Sequence, residues 1–155
     1  MIMSFATALR GRLLRMSPEA REAELAKTPI PKRADYKRDV VAHGLDSAYV
    51  ADSAKQHEKL LDWIEGSMGT AAYLAGETYS LAGIAVIPYV LRLELLGLDK
   101  MWARRAGVAV WWERVRNRPS TGQAIFERMT AADAAPFKNL EPDPWSKVRD
   151  LLQAA

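Results

Sequence analysis

The feature that most constrains the fold is a helical periodicity that recurs along the chain. In residues 47–68, side chains that share one helix face return every three or four positions: Val50, Ala54, His57, Leu61, Ile64 and Met68. No segment keeps the apolar–polar alternation of period two that marks a half-buried β-strand. The pattern predicts an all-α fold, a compact bundle of about six to eight helices without a β-sheet.

Two further segments organise the expected bundle. The segment that begins at Ser80 would form a helix with apolar residues on nearly every side, which predicts that this helix lies at the centre of the domain. Phe5, Leu9 and Leu13 are spaced four apart and predict a first helix that ends near Met16. We expect residues 1–130 to form the helical domain, and the proline-containing residues 131–155 to form a C-terminal extension whose short helix packs on it.

Composition excludes several classes of function. The chain has 155 residues, no cysteine and a net charge of +3. Without cysteine there is no disulfide, thiolate zinc site or cysteine nucleophile, and a reducing, cytoplasmic location is expected. The basic residues form no stripe, so we expect no nucleic-acid partner. No apolar run reaches the about 20 residues that cross a bilayer, so we expect no membrane partner.

The sequence also shows no motif for metal binding or for hydrolytic catalysis. No ligand set at metal spacing, paired carboxylates, phosphate loop or serine–histidine–aspartate arrangement stands out. His57 lies on the apolar face of its helix, where a partly buried, hydrogen-bonded histidine is the simpler interpretation than a proton shuttle or ligand. We therefore predict no catalytic residue and no metal site.

Two segments carry a family resemblance. Residues 73–85 read YLAGETYSLAGIA, and residues 108–119 read VAVWWERVRNRP. The first resembles the segment that leads into the buried central helix of the C-terminal domain in the glutathione S-transferase superfamily, and the second resembles a helix of the same domain. Residues 6–10 and 16–19 are similar to a bacterial, β-etherase-like subgroup. The resemblance covers roughly residues 4–128 and implies the helical C-terminal domain of that superfamily.

The start of the central helix can be interpreted in physical terms. Ser80 is the predicted N-cap, with its hydroxyl accepting a hydrogen bond from the N–H of Gly83. Tyr79 precedes the cap and can pack on Ile84 as a hydrophobic staple. The family has an aspartate where this chain has Gly83, and the loss of that aspartate should cost on the order of 1 kcal/mol. The sequence thus predicts that Gly83→Asp raises the melting temperature.

The resemblance implies two domains in the complete family enzymes. A thioredoxin-like N-terminal domain binds glutathione and stabilises its thiolate, and the helical domain lines the pocket for a hydrophobic co-substrate. This chain opens directly in the first helix of the second domain, so we expect it to lack glutathione transfer on its own. We expect no cofactor, and glutathione only if a thioredoxin-like domain is supplied.

Three functions remain open at this stage. The chain can be a non-catalytic binding module that forms a homodimer or docks a thioredoxin-like partner chain. It can be a transferase whose N-terminal domain is supplied by another chain or is missing from the sequence. It can also be a carrier of a hydrophobic small molecule. The candidate pocket or interface residues are Phe5, Leu9, Leu13 and Trp111.

Overall fold

The computed structural model describes residues 2–138, 140 and 143–153. Within these residues there are ten α-helical segments and no strand, which confirms the all-α prediction. Six helices have nine residues or more: α3 (Pro18–Ala26), α4 (Pro31–His43), α5 (Ala48–Met68), α6 (Leu81–Leu95), α7 (Ala106–Arg116) and α10 (Pro144–Gln153). The short ones are α1 (Ile2–Ala6), α2 (Arg10–Leu14), α8 (Pro119–Thr121) and α9 (Ala131–Ala134).

The helices form two compact units. The described residues of 1–55 and 139–155 make the first unit, and residues 56–138 make the second. The predicted boundary at residue 130 divides the chain differently and stays a prediction. Residues 139, 141, 142, 154 and 155 of the predicted extension lie outside the described residues.

In the first unit, the predicted first helix is interrupted. Residues 7–9 form a turn between α1 and α2, so the prediction of one continuous helix through Phe5, Leu9 and Leu13 that ends near Met16 was wrong. The Thr7 hydroxyl donates to the carbonyl of Met3 at 2.6 Å, and the N–H of Leu9 bonds five residues back to Ser4 at 2.9 Å. A threonine hydroxyl that competes for a helix carbonyl favours such a break.

Arginine and lysine side chains hold the first unit together beyond its apolar core. Arg10 donates to the carbonyls of Val41 and Ala42 at 2.9 and 3.0 Å, and so binds α2 to the last turn of α4. The carbonyls at a helix C-terminus attract cations. Lys147 of α10 pairs with Asp46 at 2.5 Å, and this contact lowers the pKa of the Asp46 carboxyl.

In the second unit, α5 approaches the start of α7 closely. The Glu65 carboxylate accepts the N–H of Val108 at 3.0 Å and so caps α7 from another helix. A Cβ at Gly107 would lie 2.9 Å from the Cβ of Met68, so only glycine permits this approach. Arg105 adds ion pairs to Glu58 at 2.6 Å and Asp62 at 2.8 Å. These contacts hold together α5 and α7, the helices that come before and after α6 in the chain.

Candidate functional site

The most exposed apolar surface of the second unit lies on α6. Leu81 is 80% exposed, Ile84 52% and Tyr89 54%, and Ala85 and Pro88 between them are also exposed. These positions follow the i, i+3, i+4, i+7, i+8 spacing of one helix face. We call these five residues the α6 face. Single exposed apolar side chains are ordinary, but a contiguous set marks an interaction surface.

The opposite side of α6 is the core of the second unit. Val86, Val90 and Leu93 are at most 7% exposed. The sequence predicted a central helix that is covered all round, and the structure corrects this to a helix covered on one side. The physical reason is that an apolar side chain is more stable when it is buried, but burial also needs a neighbouring element that packs against that side of the helix.

Charged and aromatic groups border the α6 face at its C-terminal end. Arg92 lies one turn beyond Pro88, and its guanidinium lies 4.8 Å from the centre of the Phe137 ring. Burial lowers the pKa of Arg92, and none of the described carboxylates lies within ion-pair distance of it. Tyr89 itself lies 6.4 Å from the His57 ring, which is half-buried. The face therefore ends at a partly desolvated cation.

At its N-terminal end, the α6 face adjoins a connector that two arginines hold in place. The Arg118 guanidinium stacks 4.0 Å from the centre of the Tyr79 ring and donates to the Tyr73 hydroxyl at 3.4 Å. The Arg114 guanidinium donates to the carbonyl of Ala72. The two tyrosine rings meet edge to face at 5.7 Å. The YLAG segment is thus a packed anchor for the start of α6.

The start of α6 corrects the predicted capping hydrogen bond. Ser80 occupies the N-cap position, as predicted, and its backbone is extended, but its side chain makes no cap hydrogen bond. Its hydroxyl oxygen is buried and has no partner among the described residues. The staple between Tyr79 and Ile84 stays a prediction.

The close contact at this helix start involves Gly83. A Cβ at Gly83 would lie 2.8 Å from Cε2 of the Tyr79 ring. The ring therefore rests where the side chain of the family's aspartate would begin. This packing reverses the expected effect of Gly83→Asp on stability. The added atoms must displace the Tyr79 ring, on which the Arg118 guanidinium stacks.

The predicted pocket residues fall into two groups. Phe5 packs on a cluster of Leu13, Leu25 and Val41 in the first unit, where Leu13 is 1% exposed. Leu9 is half-buried. Trp111 is fully buried in the second unit, and its indole N–H has no partner in the described part of the chain. A role for these residues in a pocket or interface stays a prediction.

The α6 face is a candidate interaction surface that the sequence did not predict. The signal that could have found it is the segregation of two apolar stripes on one helix, one through Val86 and Val90 and one through Ile84 and Pro88.

No helix within the described ranges is long and apolar enough to cross a membrane. The same residues contain no group of three or more acidic or histidine side chains placed to hold a metal ion.

The fold is an all-α domain in which the connector leads into α6. Comparisons with known proteins identify the family to which such a domain belongs. The family model "Glutathione S-transferase, C-terminal domain" matches residues 23–119. The chain belongs to this family. No solved structure gives a significant match.

Among curated proteins, the chain is similar to glutathione transferases and to two enzymes with other names. It is 38% identical over 68 residues to glutathione S-transferase TCHQD of Arabidopsis thaliana, covering 43% of this chain and 26% of the relative. It is 34% identical over 70 residues to the disulfide-bond oxidoreductase YfcG of Escherichia coli, covering 45% and 32%. It is 28% identical over 118 residues to the tetrachloro-p-hydroquinone reductive dehalogenase of Sphingobium chlorophenolicum, covering 72% and 47%.

The chain thus spans between a quarter and a half of the length of these relatives. The family is established, and the β-etherase-like subgroup stays a prediction.

Proposed function

We propose that this chain is a binding module of the glutathione S-transferase family, which docks a partner through the α6 face and does not transfer glutathione by itself. The observation that supports this is the exposure of Leu81, Ile84 and Tyr89 on one side of α6. Full burial of a leucine or isoleucine side chain contributes about 1.5–3 kcal/mol, so a partner that covers the face gains several such terms.

The proposal assigns glutathione chemistry to a different domain. Activation of a thiol needs a hydrogen-bond donor or a positive charge next to the sulfur. In complete members of the family, the resemblance implies that this donor or positive charge belongs to the thioredoxin-like domain. The helical domain then contributes shape and apolar contact, which the α6 face offers.

The test uses an apolar fluorescent probe, anilinonaphthalene sulfonate, on the dilute protein. We expect the probe to bind, and we expect Ile84→Lys to remove most of the fluorescence gain. Val110→Lys is the matched control, because Val110 is 53% exposed on α7, against 52% for Ile84 on α6. Equal loss in both variants, or no binding at all, contradicts the proposal.

A second candidate is a transferase whose glutathione-binding domain is supplied by another chain or lies outside these residues. It is favoured by the fact that the chain covers 26% of one relative and 47% of another. Isothermal titration of this chain with glutathione separates the two functions. We expect no heat of binding; a measurable affinity of these residues alone would show that they carry a glutathione site.

A further inference from the structure

We propose that Arg92, just beyond the C-terminal end of the α6 face, binds the carboxylate of a small aromatic acid, with Phe137 and Tyr89 as its apolar contacts. The site shares only Tyr89 with the α6 face and does not depend on the docking of a partner protein. All three residues belong to the second unit.

Arg92 differs from the other half-buried arginines of the second unit in having no hydrogen-bond acceptor among the described residues. Arg105 and Arg116 pair with carboxylates at 2.6 and 2.7 Å, and Arg118 donates to a tyrosine hydroxyl at 3.4 Å. Burial without a counter-charge disfavours the cation, and this lowers the pKa of Arg92. A partly desolvated donor without an acceptor costs free energy, which a bound anion would recover.

The guanidinium of Arg92 is open to a ligand. None of its nitrogens is among the buried, unpartnered atoms of the described side chains, whereas the Nε of Arg118 is one of them. The N–H groups of Arg92 therefore still reach solvent.

The contact with Phe137 sets the direction of these N–H groups. The Cζ atom of Arg92 lies 4.8 Å from the centre of the Phe137 ring. A guanidinium that stacks on a ring keeps its N–H groups in its own plane, where two of them can donate to both oxygens of a carboxylate. Because the stack already restrains the side chain, less entropy is lost when an anion binds.

The surroundings of Arg92 favour an aromatic acid over an inorganic anion. Tyr89 and Pro88 lie three and four residues before Arg92, so both side chains neighbour it on one face of α6. Tyr89 is 54% exposed, and its ring lies 6.4 Å from that of His57. An aromatic ligand can therefore pack on the free surface of Tyr89 or on Phe137 while its carboxylate meets Arg92.

The exposure of Tyr89 also sets the expected strength. A site that is open to solvent on one side gives no more than ordinary binding per ligand atom. For a ligand of about ten non-hydrogen atoms this corresponds to a Kd on the order of 1–10 mM. Two-dimensional NMR measures affinities in this range and also locates the bound ligand.

The first experiment compares phenylacetate with its neutral amide, phenylacetamide, on the unaltered protein. The two probes have nearly the same shape and differ in the charge that Arg92 would bind. We expect phenylacetate to bind about tenfold more tightly in NMR titrations followed through the backbone amide signals. Equal affinities overturn the proposal, because the apolar contacts alone then account for the binding. No variant is needed, so the result does not depend on whether a substituted chain folds.

The second experiment substitutes the cation. We expect Arg92→Gln to weaken phenylacetate binding about tenfold and to leave phenylacetamide binding unchanged. Arg92→Lys should recover only part of the loss, because lysine keeps the charge but not the planar fork. Arg21→Gln is the matched control, since Arg21 is half-buried on α3 and likewise has no acceptor among the described residues. Equal weakening in Arg21→Gln would be a general effect of net charge and overturns the site.

The same titrations locate the ligand. We expect the largest signal changes at the amides of Arg92 and Phe137. Changes that cluster instead around Phe5 and Leu13, which the sequence predicted as pocket residues, overturn Arg92 as the site.

The outcomes separate this site from the proposed function. Equal affinities for the acid and the amide, together with dye binding that depends on Ile84, overturn the Arg92 site and leave the α6 face as a docking surface. A preference for the acid without Ile84-dependent dye binding supports the Arg92 site and contradicts the docking surface. If neither probe binds at tens of millimolar, the small acid is overturned as the ligand, and an acidic side chain of a docked protein is the next anion to test at Arg92.

Discussion

Three helices of the described residues begin directly after a serine, α3 after Ser17, α5 after Ser47 and α6 after Ser80, and the serines before α3 and α6 act differently. Ser17 precedes α3 in the first unit, and its hydroxyl accepts the N–H of Ala20 at 3.2 Å. Ser80 precedes α6 in the second unit, and its hydroxyl caps nothing. At α6 the neighbouring Tyr79 ring lies over Gly83, and Arg118 stacks on that ring.

The difference shows that one sequence signal can have two structural causes. The polar helix α3 depends on local capping, as exposed helices do. The buried side of α6 is held by apolar contacts, so its start is determined by how the connector packs. A cap motif read from a sequence is therefore informative for α3 and misleading for α6.

The largest effect is expected for Gly83→Asp. An added Cβ lies 2.8 Å from the Tyr79 ring. Overpacking of this kind costs up to about 3 kcal/mol, and an aspartate cap returns about 1 kcal/mol, so we expect a net loss of up to about 2 kcal/mol in the free energy of unfolding. Urea denaturation measures it. A midpoint above that of the wild type would show that the ring can move and that the capping term dominates.

The next effect is expected for Arg118→Ala. Removal of a stacked, partly desolvated guanidinium from Tyr79 should cost about 1.5 kcal/mol. Arg118→Lys keeps the charge but loses the planar stack, so we expect it to recover less than half of the loss. The second measurement is the double variant with Gly83→Asp: we expect the two losses to be less than additive, because both act through the same ring. Strict additivity would place Arg118 outside this anchor.

Helix positions could be predicted well from periodicity and end signals. The sequence placed one helix over residues 47–68 and the structure has α5 at Ala48–Met68; it placed the next from Ser80 and the structure has α6 at Leu81–Leu95. Such ends are visible because glycine and N-cap residues act on the local backbone. The break at Thr7 was missed, because the hydrogen bond from its hydroxyl to Met3 competes with a helix that its apolar spacing also allows.

The candidate site could not be predicted from the sequence in the same way. Leu81 and Val86 are both aliphatic residues, yet Leu81 is 80% exposed and Val86 is 7% exposed. Exposure depends on which elements lie against each side of α6, and these contacts join residues of different helices, such as Trp112 of α7 and Glu94 of α6. The family resemblance located the segment, but not its uncovered face.

A third prediction compares the two serines directly. Ser17→Ala should cost about 1 kcal/mol, the usual loss of an N-cap side chain. Ser80→Ala should cost much less or nothing, since its buried hydroxyl makes no hydrogen bond that the alanine would lose. The difference between the two midpoints in urea is the readout. Equal losses would mean that Ser80 makes a capping bond in solution and that the contrast between α3 and α6 is not real.

The smallest effect concerns a second helical glycine, which separates intrinsic cost from packing. Gly66 lies in α5, is exposed, and a Cβ there would meet nothing within 4 Å. Gly66→Ala should therefore raise the free energy of unfolding by about 0.8 kcal/mol, the ordinary gain in helix propensity. Gly83→Ala makes the same chemical change under the Tyr79 ring, and we expect it to lower stability. If both variants gain equally, propensity alone governs the two positions. A gain at Gly66 beside a loss at Gly83 attributes the start of α6 to packing.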